Sequence, residues 1–315
     1  MLRNYVGLFA LATPYFFIVA LCRSLYNGGI YYTYPDTGEV ISTYFTYAGL
    51  TEWVIHPAYL SLWAGTAFFI AGYYVTKDTK NILNWSALCS LLILVLMSQS
   101  RMNILALIFI IILLSVFVFF RKISVFKSFG LLSIVILFTG LLWSVLPNKV
   151  LGRFSDLTSF RYNIEAETFH EGFNGITIRL AEWKCALQEI KKRPFFGSGI
   201  GDARDHLEES YMRNKFIYGH REKFNAHNQF IETTLAVGVI GLASLIYIFI
   251  PTIYVSVRKS AWHIFAATGY VVLCFLTESY LERQWGVVFL GMMLPTLAES
   301  GIALQENSIT TRNEF

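Results

Sequence analysis

The chain has 315 residues, of which 55% are hydrophobic and 15% are charged, and its mean hydropathy is +0.51. Soluble globular proteins carry about 25% charged residues, so this composition argues against a soluble protein. The formal net charge of +4 is too small and too scattered to predict a nucleic-acid partner, and the four cysteines show no spacing typical of a metal site or a disulfide framework.

Long apolar runs recur along the chain and predict membrane-spanning helices. Crossing about 30 Å of hydrocarbon takes about 20 mostly apolar residues, and the backbone in lipid must satisfy its own hydrogen bonds. About eight segments meet this criterion. We therefore expect an all-α polytopic membrane protein. The predicted spans cover residues 5–22, 58–75, 82–97, 102–120, 129–146, 230–257, 264–276 and 286–298.

Basic residues in the short connections predict how these spans are oriented. Lysine and arginine collect after the second, fourth and sixth spans, which places them all on one side if the spans alternate. By the positive-inside rule that side is the cytoplasm. We therefore expect both termini in the cytoplasm and the polar segment 147–225 in the periplasm of a double-membrane bacterium. The basic residues on this side are Arg3, Lys77, Lys80, Arg121, Lys122, Lys127, Arg258 and Lys259, whereas the short connections of the other side hold Arg23, Arg101 and Arg283.

The spans and the polar segment divide the chain into four regions. Residues 1–146 are predicted to form N-terminal transmembrane helices, and residues 226–300 the C-terminal ones. Residues 147–225 form a large, partly helical periplasmic loop that carries the active site, and residues 301–315 form a cytoplasmic tail. More than half of the charged residues lie in 147–225. Their signs nearly balance, which is typical of a folded polar region.

Within the loop, residues 177–192 predict an amphipathic helix. Four apolar residues recur at helical spacing, with Thr177 as a plausible N-cap and Pro194 as the stop. The glycine-rich stretch from Gly197 to Gly201 predicts a tight turn. Its backbone N–H groups could instead bind phosphate, but the stretch lacks the Gly-Lys-Ser/Thr ending of a P-loop. The four apolar residues are Leu180, Trp183, Leu187 and Ile190.

Two arginines are candidates for binding an anion. Arg101 follows the third span at the outer membrane boundary, where an ionisable residue usually faces a polar cavity or a partner. A snorkelling interfacial arginine is the structural alternative. Arg179 lies on the loop helix, one turn before Trp183, and its guanidinium suits diphosphate oxygens. The alternative for Arg179 is a solvated helix face.

Proton transfer chemistry is possible at His227, directly before the sixth span. Histidine accepts a proton near neutral pH, as a general base must, although an interfacial histidine without chemistry fits the same position. Asn228 or Asn225 can cap the following helix. His220 and Arg221 add polarity nearby, and Glu278 lies at the last outer turn. No metal-binding motif stands out, so we expect no metal and no cofactor.

Taken together, these elements resemble the O-antigen ligase and polymerase family of bacterial membrane glycosyltransferases. The resemblance is strongest over residues 178–242 and extends in order across most of the chain. The matching motifs are His56-Pro57-Ala58-Tyr59, Ser98-Gln99-Ser100-Arg101, Arg179 with Trp183, Pro194-Phe195-Phe196-Gly197-Ser198-Gly199, His227-Asn228-Gln229-Phe230, Gly238-Val239-Ile240-Gly241 and Thr277-Glu278-Ser279.

The resemblance implies a GT-C-type helical bundle in the bacterial inner membrane and a glycan donor carried on undecaprenyl diphosphate. The acceptor would be a hydroxyl of a glycan or of lipid A–core on the periplasmic face. Arg101 and Arg179 match diphosphate-binding arginines, and His227 matches the catalytic histidine. Asn228, Arg221, His220 and Glu278 would support them. Family members usually have about ten to twelve spans, more than predicted here, so either this is a short member or the missing spans precede residue 5.

Three alternatives to a ligase remain open from the sequence. A polymerase of the same family would use a second lipid-linked glycan as acceptor. A transporter or channel would carry ionisable residues within its spans, whereas here they concentrate in one loop. A membrane scaffold would not depend on His227 or on the arginines.

Overall fold

The computed structural model describes residues 2–33, 40–51, 55–120 and 162–313. The chain divides into two compact units. The first comprises Met1–Leu151, Pro251–Cys274 and Trp285–Phe315, and the second comprises Gly152–Ile250 and Phe275–Gln284.

The first unit is built mainly from helices. In chain order these are α1 (Leu2–Tyr26), α2 (Tyr47–Thr51), α3 (Pro57–Lys77), α4 (Ile82–Met97), α5 (Arg101–Phe120), most of α11 (Ile250–Arg258), α12 (Trp262–Phe275) and α13 (Gln284–Asn313). A two-stranded antiparallel sheet joins α1 to α2 and corrects the all-α prediction. Its strands, β1 (Tyr31–Thr33) and β2 (Val40–Thr43), consist of β-branched and aromatic residues that favour strands, apart from Ser42.

Helix α3 is the most enclosed helix of this unit. It is buried along most of its length because it packs against α1, α4 and α5. Gly65 gives room for the ring of Tyr270, whose hydroxyl donates to the carbonyl of Ser61 at 2.9 Å. The Asn103 side chain donates to the Ala58 carbonyl at 2.9 Å, which ties the first turn of α5 to the first turn of α3.

Several of these helices have the length and composition of membrane spans. Among the described residues, α1, α3 and the stretch Gln229–Arg258 are long and apolar enough to cross a membrane, while α4, α5 over Arg101–Val116, and α12 are shorter apolar helices. The predicted span 286–298 lies inside α13. The predicted span 129–146 lies outside the described residues.

The second unit is a small helical fold with its own core. Its helices are α6 (Phe169–Gly172), α7 (Thr177–Lys192), α8 (Ala203–Arg213), α9 (Ile217–Glu222) and α10 (Gln229–Tyr247), followed by a 3₁₀ turn at Tyr280–Glu282. The core residues include Phe173, Leu207, Tyr211 and Phe216, which are fully buried together with small residues of α7.

Helix α7 confirms the predicted boundaries, but the prediction of its buried face is wrong. Leu180 and Leu187 are 41% and 47% exposed, so hydrophobicity indicated the wrong side of the helix. The buried stripe instead combines small or apolar residues with two carboxylates, which the sequence pattern did not count as interior. Its members are Thr177, Ile178, Ala181, Glu182, Cys185, Ala186 and Glu189.

The glycine-rich turn after α7 packs against a break in α10. The N–H groups of Ser198 and Gly199 donate to the carbonyls of Leu235 and Ala236, both at 2.9 Å. At Gly238 the backbone leaves the helical region, with φ 72° and ψ −166°, and a Cβ there would lie 2.2 Å from the carbonyl oxygen of Phe195. These two N–H groups are therefore used in packing, which favours the plain turn over a phosphate loop.

Candidate active site

Three functional side chains lie on one face of α7. Arg179, Glu182 and Trp183 are spaced three and four residues apart, which puts them side by side on a helix. The start of the helix is held by Asn174, whose side-chain oxygen accepts from the N–H groups of Ile176 and Thr177 at 2.9 and 2.8 Å. Thr177 is therefore not the cap that the sequence predicted.

The segment that leads into α10 has a fixed backbone. The Asn228 side chain accepts from the N–H groups of Phe230 and Ile231 at 3.0 and 3.1 Å, which confirms its predicted role as the helix cap. His227, the preceding residue, has φ +40°, a left-handed conformation that non-glycine residues seldom adopt. Its N–H donates to the Asn225 side chain at 2.8 Å. This hydrogen bond holds the left-handed backbone at His227 in place.

The residue before His227, Ala226, is also held by hydrogen bonds to its backbone. The indole N–H of Trp183 donates to the Ala226 carbonyl at 2.8 Å, and the Ala226 N–H donates to the Glu232 carboxylate at 2.8 Å. Because the N–H and the carbonyl of Ala226 are both hydrogen-bonded, the backbone next to His227 has little freedom to move. Trp183, which the sequence associated with Arg179, thus acts here on the histidine segment.

A carboxylate on α7 meets the imidazole directly. Glu182 Oε2 lies 3.0 Å from His227 Nδ1, and the Glu182 side chain is fully buried whereas that of His227 is 26% exposed. No described residue hydrogen-bonds to the other ring nitrogen, Nε2. The imidazole is therefore anchored on one side and can meet a bound molecule on the other.

The surrounding charges set the protonation state of this pair. Burial alone lowers the pKa of His227, but Glu182 and, more weakly, Glu278 outweigh it and raise the pKa to about 9, against an opposing effect of Arg179. The pKa of the Glu182 carboxyl lies above its ordinary value, because the effect of burial exceeds the opposing effects of His227 and Arg179. At neutral pH the resting imidazole is thus mostly protonated.

Arg179 is anchored beside this pair with part of its guanidinium unused. Its Nε donates to the Thr277 carbonyl at 3.3 Å, and its Nη1 donates to the Gly175 carbonyl. The guanidinium has five N–H donors, and no described residue bonds to Nη2. Glu278 follows Thr277 in the same stretch, where its carboxylate accepts from the Ser279 N–H at 3.2 Å.

The remaining predicted residues lie elsewhere. Arg221 pairs with Glu222 at 3.2 Å and covers the ring of Tyr218, and His220 lines a surface cavity beside α8. Neither hydrogen-bonds to His227 or forms an ion pair with it in the described part of the chain. Arg101 is the first residue of α5 and belongs to the first unit.

Glu182 is the site residue that sequence reasoning missed. The available signal was its position: it lies one turn after Arg179 and immediately before Trp183, on the face of α7 that carries the other site residues. In the sequence, a glutamate three residues after a candidate arginine is indistinguishable from an ordinary surface residue. Only the structure shows that the Glu182 side chain is buried. Among the described residues, no group of three or more histidine, cysteine, aspartate or glutamate side chains is arranged to hold a metal ion.

The long apolar helices are those of a helical membrane protein. Its second unit carries a site with a histidine–carboxylate pair and an arginine. The family model described as O-antigen ligase matches residues 85–246, slightly more than half of the chain. The chain therefore belongs to the O-antigen ligase family and is a bacterial membrane protein of the glycosyltransferase type. A comparison with curated proteins finds no match.

Proposed function

We propose that this protein transfers a glycan from an undecaprenyl-diphosphate-linked donor to the hydroxyl of an acceptor sugar, on the periplasmic face and without a metal ion. The acceptor is a glycan or lipid A–core, as in an O-antigen ligase. The observation that carries the proposal is the geometry around His227. Nδ1 is anchored to Glu182 at 3.0 Å, Nε2 has no protein partner among the described residues, and Arg179 lies one helical turn from Glu182.

The reaction assigns one role to each of these groups. The acceptor oxygen attacks the anomeric carbon of the donor and forms the new glycosidic bond, while the bond from that carbon to the phosphate oxygen breaks. The lipid diphosphate leaves with the electron pair, and its growing negative charge is stabilised by Arg179. His227 Nε2 accepts the proton that the acceptor hydroxyl loses.

Several parts of the proposal rest on the resemblance alone. These are the GT-C-type arrangement of the spans and the role of Arg101 as a second diphosphate-binding residue. The proposed cytoplasmic termini follow from the basic residues in the short connections, and the proposed contact with membrane lipids follows from the apolar helices. Asn228 is proposed as a supporting residue because it follows His227 and hydrogen-bonds to Leu276 and Ser279, and Glu278 because its charge raises the pKa of His227. His220 and Arg221 are kept as more remote supporting residues.

The test is glycan transfer by the purified full chain in proteoliposomes with a defined lipid-linked donor. One reaction contains the donor alone and another adds a lipid A–core acceptor. Product only in the second supports a ligase, and elongation in the first supports a polymerase of the same family. We expect transfer to continue in excess chelator. Loss of activity with EDTA that magnesium or manganese restores would contradict the metal-free mechanism, and no product in either reaction would contradict the proposed function.

A further inference from the structure

A histidine that acts as a base must carry its proton on one ring nitrogen and present a lone pair on the other. We infer that Glu182 is the positioning residue that sets this arrangement, because its carboxylate accepts the Nδ1–H of His227 and leaves Nε2 to take the proton of the acceptor hydroxyl. This inference rests on the proposed function. Glu182 itself touches neither donor nor acceptor in this account.

The burial of Glu182 is the first reason to assign it this role. Its side chain is fully buried, and in the described part of the chain its second oxygen, Oε1, has no hydrogen-bond partner. A buried carboxylate with an unsatisfied oxygen opposes folding, and an apolar side chain would be cheaper for stability alone. The compensating interaction is the contact with His227.

The second reason is that the contact leaves little choice of ring orientation. The left-handed backbone of His227 is held by Asn225, and Trp183 holds the neighbouring carbonyl. The ring of Phe224 meets the imidazole at 5.6 Å between centroids. With the backbone fixed and Nδ1 bound to Glu182, only Nε2 can meet an incoming hydroxyl.

Charge is the third reason. The charged groups that act on His227 are Glu182 and Arg179 from α7 and Glu278 from the stretch after α12, and Glu182 is the strongest of the three. During transfer Nε2 takes the acceptor proton and the ring becomes an imidazolium. Glu182 remains ionised and stabilises that cation, in the way the third member of a Ser-His-Asp triad does. The extra proton then passes to water.

The experiment compares two buried carboxylates on the same helix. Glu182→Gln keeps the shape but removes the charge, and Glu189→Gln does the same seven residues later, where the partners are Lys192 and Arg213 instead of His227. The single-turnover transfer rate is measured against pH for the full chain in proteoliposomes. We expect Glu182→Gln to lower the maximal rate by roughly 10²-fold or more. We also expect it to move the midpoint of the pH profile by at least about one unit toward acid, whereas Glu189→Gln leaves the midpoint in place.

A readout that does not depend on activity separates this inference from the proposed function. The ring of His227 is titrated by NMR in histidine-labelled protein, with its signal assigned by its loss in His227→Gln. An unshifted His227 titration and an unshifted pH profile in folded Glu182→Gln would overturn the inference and leave the proposed function standing. A shifted titration combined with no transfer product from the wild-type protein would overturn the proposed function and leave the contact itself standing. Normal transfer by His227→Ala would remove His227 as the base, and with it the role of Glu182 in transfer.

Glu182→Asp covers the case in which Glu182→Gln does not fold. This variant keeps the charge but shortens the side chain and weakens the contact at 3.0 Å, so the midpoint should lie between that of the wild type and the ordinary histidine value of about 6.5, while the maximal rate falls. A folded Glu182→Asp protein whose maximal rate and midpoint both equal those of the wild type would show that the contact with His227 does not matter for transfer, and would contradict the inference.

Discussion

Glu182 and His227 are 45 residues apart in the chain, and their side chains meet at 3.0 Å between Oε2 and Nδ1. The contact joins the middle of α7 to the bend before α10, and it places the imidazole next to the helix face that also carries Arg179. Glu182 on α7 therefore raises the pKa of His227, although the two residues are far apart in the chain.

Transfer by the wild-type protein should become faster as the pH rises through the neutral range. A general base must be deprotonated to act, and the surroundings raise the pKa of His227 to about 9. Most of the imidazole is then protonated at pH 7, and the active fraction grows about tenfold per pH unit below the pKa. Single-turnover rates between about pH 6 and 10 check this. A rate that is already constant above pH 7 would show that neutral His227 is not what limits transfer.

Arg179 should be needed for donor binding through its charge. Arg179→Ala should weaken donor affinity by about 10–100-fold, since hydrogen bonds to charged groups contribute about 1.5–3 kcal/mol. Arg179→Lys should keep part of the affinity because it keeps the charge but loses the forked geometry. Donor binding is measured with the lipid diphosphate in nanodiscs.

Lys184→Ala is the matched control for Arg179, because Lys184 is a basic, exposed residue on the same helix. Its donor affinity should equal that of the wild type. Arg101→Ala should reproduce the Arg179→Ala result if both arginines bind the diphosphate. Full donor affinity in Arg101→Ala would remove it from the site, and full affinity in Arg179→Ala would contradict the assigned binding role.

Gly238→Ala should destabilise the second unit. The backbone at Gly238 has φ +72° and a Cβ would lie 2.2 Å from the carbonyl oxygen of Phe195, so both strain and overlap oppose the substitution. A cost of about 1–3 kcal/mol is expected from the strain alone. Gly201→Ala is the control, because Gly201 lies in the glycine-rich turn after α7 and has open space around its Cβ position. Thermal unfolding in detergent should show a lower Tm for Gly238→Ala, and equal values would contradict the packing of this turn on α10.

Local signals in the sequence predicted much of the framework around the site. The helix 177–192 was predictable because Pro194 stops it, and the cap at Asn228 was predictable because a short polar side chain preceded an apolar run. Most predicted spans coincide with helices because runs of apolar residues need no tertiary information to be recognised.

The central contact of the site could not be predicted in the same way. Glu182 meets His227 across 45 residues, and neither belongs to a motif that fixes their distance. Hydrophobic periodicity also pointed to the wrong face of α7, because two buried positions carry Glu182 and Glu189 while Leu180 and Leu187 are exposed. The short sheet was missed because strands of three and four residues leave too little pattern to detect.

A reporter fused after Gly201 should be active only on the outer side of the cell membrane. This expectation follows from the basic residues in the short connections, which predict that segment 147–225 is periplasmic. A fusion after Lys77, predicted to be cytoplasmic, is the control. Cytoplasmic activity at the Gly201 fusion would place Arg179 and His227 on the wrong side for an externally displayed donor.

The most direct measurement compares donor affinity and single-turnover transfer for wild-type protein and His227→Ala. If His227 is the base, the variant should bind the lipid-linked donor nearly as tightly as the wild type, because the diphosphate is held by arginine. Its transfer rate should fall by roughly 10²–10⁴-fold. The variant must first be shown to fold, by its Tm. Normal turnover in a folded His227→Ala protein would contradict the account, and the base would then have to be sought at His220, Glu278 or on the acceptor itself.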